Sequence, residues 1–158
     1  MLVVAAQLGA TDEVTCAIWM HDVIYDPRRS DNEARSADFS RELLASLGAP
    51  DHFVGEVARL VMSTAHHAPD EGDVNGQVLA DADLAILGAP ADRYGRYVRE
   101  VRAEYAHVSE DDWRTGRAAV VKTFLDRRHL FHARSLREAR EAQARDNLRT
   151  ELVALTTP

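Results

Sequence analysis

The chain has 158 residues, 46% of them hydrophobic, which is enough for a sizeable core and too apolar for a disordered segment. Its formal net charge of −7 opposes polyanions, so neither a nucleic-acid polymer nor a membrane surface is expected as a partner. Cys16 is the single cysteine, which excludes an internal disulfide and a multi-cysteine zinc cluster, suits a reducing compartment and makes the cytoplasm the expected location.

The opening "MLVVAAQLGA" is too short to span a bilayer and lacks the basic start of a secretory signal; it reads as the end of a helix. Thr11 or Asp12 then caps a helix whose apolar positions Val14, Ala17, Ile18 and Ile24 recur at helical spacing and which stops before Pro27. His21 and Asp22 fall on that helix, and Trp19 and Trp113 are expected as core anchors. Ser30-x-x-Glu33 has the form of a capping box for a second helix through Phe39, Leu43, Leu44 and Leu47, closed by Gly48. Pro50 and Asp51 open a third, carrying Phe53, Val57, Leu60, Val61 and Thr64 and reaching His66 and His67 before Pro69.

After the polar loop "APDEGDVNG", the stretch "QVLADADLAILG" reads as a short, mostly buried helix ended by Gly88, with Asp81 and Asp83 inside it. Helices over about residues 90–107, 109–128 and 135–155 follow, and the charged run from Arg134 to Arg149 reads as a solvated face laced with i,i+4 pairs. No period-2 alternation, internal repeat or linker interrupts the pattern. The expectation is one all-α domain over residues 1–158, with about six to seven helices.

A carboxylate buried without a partner is strongly disfavoured and in practice neutralises, pairs or binds a cation. Three places invite that question: His21-Asp22, Thr64-x-x-His67, and Asp81 with Asp83. One divalent ion accounts for all of them. Imidazole and carboxylate suit Mn, Fe, Mg, Zn, Co or Ni, and the lack of thiolates argues against Cu(I). Local explanations stand beside this one: an ion pair for His21-Asp22, helix N-capping for the aspartates, and dipole complementation for His66 and His67.

The ordered set "WMHDVIYDP", "DNEARSA", "TAHH", "DADLAILG", "EYAHV", "GRAAVVKTFLDRRHLF" and "ARDNLRTEL" resembles the HD superfamily, specifically its predicted metal-dependent phosphohydrolases, over nearly the whole chain. The resemblance implies an HD-like helical bundle in which a His-Asp pair and a later Asp hold a divalent cation and polarise a phosphate ester. Carried over, the metal ligands are His21, Asp22 and Asp83, with Asp81 in reserve; Glu33 and His67 are the catalytic candidates, with His66 as the rival of His67. Arg28 and Arg29 are candidates to hold the phosphate of a small phosphorylated substrate. The implied activity is hydrolysis of a small phosphate ester or nucleotide; the alternative is a catalytically silent helical binding or regulatory module. The family pattern begins with another histidine one helix earlier, and residues 1–20 contain none, so the chain is expected to be truncated relative to the family and one ligand short.

Overall fold

The structure, a computed structural model, describes residues 1–157. Among them there is no strand: α1 (Leu2–Gln7), α2 (Asp12–Met20), α3 (Asn32–Ser46), α4 (Asp51–Ser63), α5 (Val74–Leu84), a 3-10 turn (Ala85–Gly88), α6 (Ala91–Glu104), α7 (Glu110–Leu125) and α8 (Arg134–Thr156). The chain is thus all-α, with one helix more than expected because residues 2–7 form a helix of their own. Gly9, at φ +76°, ends it: Ala10 N–H reaches Ala5 O, a closure that a left-handed residue makes possible. Gly48 closes α3 in the same way, with Ala49 N–H bonded to Leu44 O.

The chain forms two compact units, Met1–Asp83 and the remainder from Leu84. In the first, α4 packs along both α2 and α3, and Val14, Ala17, Val57, Ala58, Leu60 and Val61 are completely buried. Of the apolar residues on α3, Phe39, Leu43 and Leu47 are exposed, Leu47 at 72%. The face buried instead is Asn32, Ser36, Ala37 and Ser40. Small side chains there leave little between the backbones of α3 and its neighbour. The Ser40 hydroxyl stays satisfied by donating to Ser36 O at 2.6 Å. Trp19 is likewise no core anchor, being 68% exposed.

In the second unit α8 packs against α7 and the 3-10 turn. The approach is close at Gly88, where an added Cβ would stand 2.6 Å from the Cβ of Arg140. Asn147 holds the same turn by donating to Leu87 O at 2.7 Å and Ala89 O at 2.8 Å. Arg145 donates to the carbonyls of Leu125, Arg127 and Arg128, closing the end of α7, while Glu141 pairs with Arg145 and accepts from Leu130 N–H. The run from Arg134 to Arg149 is therefore only partly a solvated face: Arg134–Glu138 and Arg149–Asp146 are exposed pairs, but Glu141 and Arg145 do internal structural work. Further along, buried Glu151 accepts from Arg117 Nε at 2.7 Å and from the Tyr94 hydroxyl.

Candidate functional site

Thr11 caps α2 by accepting the Val14 N–H, and the helix stops at Met20, well short of the expected Pro27. His21 therefore stands at the helix end and Asp22 just beyond it, where solvent can reach the pair. The early stop has a visible cause. The N–H and C=O of Ile24 are both taken by the Ser36 hydroxyl, each at 3.1 Å, and those of Asp26 by the Asn32 amide, at 3.0 and 2.9 Å. Backbone groups satisfied sideways do not need helical partners. The capping box is also not formed: Asp31 is the N-cap of α3, and its carboxylate is gripped by both Nε and Nη2 of Arg29 at 2.7 Å.

The orientation of His21 is informative. Its Nδ1 is 2.9 Å from Ile18 O, and a carbonyl only accepts, so Nδ1 carries the proton. Nε2 then faces Asp22 Oδ2 at 3.2 Å. In the neutral ring Nε2 presents a lone pair, the state in which histidine ligates a cation, and a carbonyl-anchored Nδ1–H is the usual companion of such a ligand. Without a cation, the same atom meets Asp22 as an imidazolium. Burial pulls the His21 pKa down, but the hydrogen bond and charge of Asp22, helped by Asp83 and the Ile18 carbonyl, outweigh it and leave it raised above 6.5. Asp22 is held below its ordinary 3.8, chiefly by the His21 hydrogen bond, against burial and with a smaller pull from His67.

The second pair comes from α4 and α5. The Ser63 and Thr64 hydroxyls donate to Leu60 O at 2.7 Å and Val61 O at 2.8 Å, taking up carbonyls of the last turn, and α4 ends at Ser63 rather than reaching the histidines. His67 follows in a left-handed conformation, φ +47°, which costs a residue with a Cβ roughly 1–3 kcal/mol. Its Nε2 is 2.5 Å from Asp83 Oδ2, and both side chains are about a quarter exposed. Asp81 is buried within α5, eight positions into the helix, so it is no N-cap; that task belongs to Asp73, which accepts the Gly76 N–H at 2.9 Å. A Cβ at Gly76 would collide with the Asp73 carboxylate, so the cap needs glycine there. Arg59 clamps Asp73 at 2.7 Å and Glu56 at 2.8 Å, fixing the start of α5 to α4.

The second pair bears on the first: Asp83 raises His21 and His67 lowers Asp22. Residues far apart in the sequence are thus brought within electrostatic reach. The donor chemistry and the His21 tautomer fit a divalent cation, although among the described residues no three His, Cys, Asp or Glu side chains converge on one point as they stand. Of the other candidates, Glu33 is half-buried in the first turn of α3, Arg28 is exposed, and the Arg29 guanidinium is committed to Asp31; His66 is exposed. The residues that sequence reasoning missed are Asn32 and Ser36. Their signal was available: Asn32, Ser36 and Ser40 recur at i, i+4, i+8, a polar stripe on the face that packing buries. No family model matches the chain, and neither a curated protein nor a solved structure matches it.

Proposed function

We propose that this protein is a metal-dependent phosphohydrolase of the HD type, cytoplasmic, acting on a small phosphate ester or nucleotide rather than on a nucleic-acid polymer or at a membrane. The observation that carries the reading is the presence of two His-Asp pairs, His21-Asp22 and His67-Asp83, drawn from separate helices, with Asp83 and His67 close enough to bear on the first pair. In this reading His21, through Nε2, and the carboxylates of Asp22 and Asp83 hold the cation. A divalent ion bound there supplies Lewis-acid neutralisation of phosphoryl oxygens and makes water acidic enough to attack near neutral pH. Glu33 accepts the proton of the attacking water, its carboxylate being half-buried in the first turn of α3. His67 donates to the leaving oxygen, poised by the Asp83 contact. Arg28 steadies the phosphoryl group, and Arg29 joins it only by giving up Asp31.

No helix among the described residues is long and apolar enough to cross a membrane, which agrees with a substrate met in water. The test is Mn²⁺ titration of protein prepared without chelator, followed by a screen of nucleotides and sugar phosphates. Binding in the micromolar range that Asp22→Ala abolishes supports the proposal; a melting temperature indifferent to millimolar Mn²⁺, Mg²⁺, Zn²⁺ and Ni²⁺ overturns it. The silent helical module is the second reading, favoured by the lack of three converging ligands among the described residues. It predicts no turnover with any metal.

A further inference from the structure

The segment after His21-Asp22 has no regular structure of its own, yet its backbone is read group by group by one face of α3. The Ser36 hydroxyl accepts from Ile24 N–H and donates to Ile24 O, and the Asn32 amide accepts from Asp26 N–H and donates to Asp26 O. This reproduces with two side chains what a neighbouring strand would do, bonding both polar groups of alternate residues. Ser36 is completely buried and Asn32 nearly so, and neither has another side-chain partner besides a weaker 3.4 Å contact of Asn32 to Arg29 O. Ile24 is two residues from Asp22, so the clamp holds the chain immediately beside the carboxylate.

We infer that Asn32 and Ser36 are positioning residues: they hold the loop that sets Asp22 against His21 and thereby prepare the pair for its ligand. The inference rests on the proposed function for what that ligand is, a divalent cation, but not for the clamp itself. Ser40 supplies the matched control. It is a second serine on the same face of α3, equally buried, whose hydroxyl bonds only within the helix.

The experiment compares Ser36→Ala, Asn32→Ala and Ser40→Ala with the unaltered protein by Mn²⁺ calorimetry, amide hydrogen exchange at Ile24 and Asp26, and the ring carbon-proton signals of the histidines. Positioning predicts that Ser36→Ala and Asn32→Ala each weaken Mn²⁺ by about tenfold or more, as outer partners of metal ligands do. They should also accelerate exchange at Ile24 and Asp26 and move the His21 ring signal, while leaving that of exposed His52 in place. Ser40→Ala should stay within about twofold of the unaltered protein in Mn²⁺ affinity, below the roughly tenfold loss expected of a true outer partner. Equal losses in all three variants, or loop exchange accelerated with Mn²⁺ affinity intact, overturn the inference. So does failure of both clamp variants to fold while Ser40→Ala folds, which assigns the two residues to the fold alone. If the unaltered protein binds no Mn²⁺, the phosphohydrolase reading fails and the clamp is judged by the His21 signal. Movement in Ser36→Ala but not in Ser40→Ala sustains it, and no movement sinks it.

Discussion

The two units arrange their clusters of polar and charged side chains differently. From Leu84 onward, Tyr94, Arg117 and Glu151 form a buried cluster in which every charge has a hydrogen-bonded answer. Burial, then the Glu151 hydrogen bond, pushes the Tyr94 hydroxyl well above its ordinary pKa, keeping it a neutral donor. In Met1–Asp83, the His-Asp pairs are partly exposed, from 14% at His21 to 58% at Asp22, and placed where helices end, and one of them depends on a residue with strained backbone. A buried and satisfied network stiffens a scaffold, whereas polar groups that solvent reaches more freely can exchange partners.

The sharpest way to break this contrast is Glu151→Ala. Removing the carboxylate leaves Arg117 buried and unpaired, and a loss of about 3–5 kcal/mol in urea unfolding is expected. A loss under about 1 kcal/mol, the range of an exposed pair, would make the two networks equivalent. Next in size is the ligand effect: Mn²⁺ at a hundred times its dissociation constant should stabilise the unaltered protein by about 2.7 kcal/mol and Asp22→Ala by nothing, read from denaturation with and without metal. Strain at His67 comes third. His67→Gly and His67→Ala both lose the Asp83 contact, but only glycine accepts the left-handed backbone freely, so the glycine variant should be the more stable by roughly 1 kcal/mol.

The pH dependence is smaller and has a definite sign. His21 is raised above 6.5, so its share of stability is fully present below that value and disappears as pH climbs through the folded pKa. Asp22 is lowered below 3.8, so its share is present above that value and disappears as pH falls through its folded pKa. The pair is at full strength between these limits, and Asp22→Asn should flatten both flanks of the melting-temperature profile. The smallest effect is expected at Leu47→Glu: an exposed side chain beyond the last turn of α3 should change stability by no more than about 0.5 kcal/mol.

The fold class was legible because helical spacing, the glycine stop at Gly48, and the Thr11 and Ser109 caps are all local signals. The same reading did not say which face of α3 is buried. Leucines at helical spacing suggest an inward face, but Asn32, Ser36 and Ser40 face inward because α3 has a loop to hold as well as a core to cover. The sequence named His21, Asp22, His67 and Asp83 as candidates and offered an ion pair for the first two, but not the contact of His67 with Asp83. Nothing in the sequence indicates that His67 turns left-handed to meet Asp83, or that Arg29 is spent on Asp31.

What the sequence alone determined is the helical character of the chain and some of its boundaries, such as the Thr11 cap and the Gly48 stop, since a helix forms and ends through bonds that reach only three to five residues along the chain. Tertiary structure alone decided which face of α3 is covered, where α2 gives way to the clamped loop and which histidine meets which aspartate. Those outcomes depend on groups from distant segments competing for the same backbone and side-chain partners, and no short window of sequence contains both competitors.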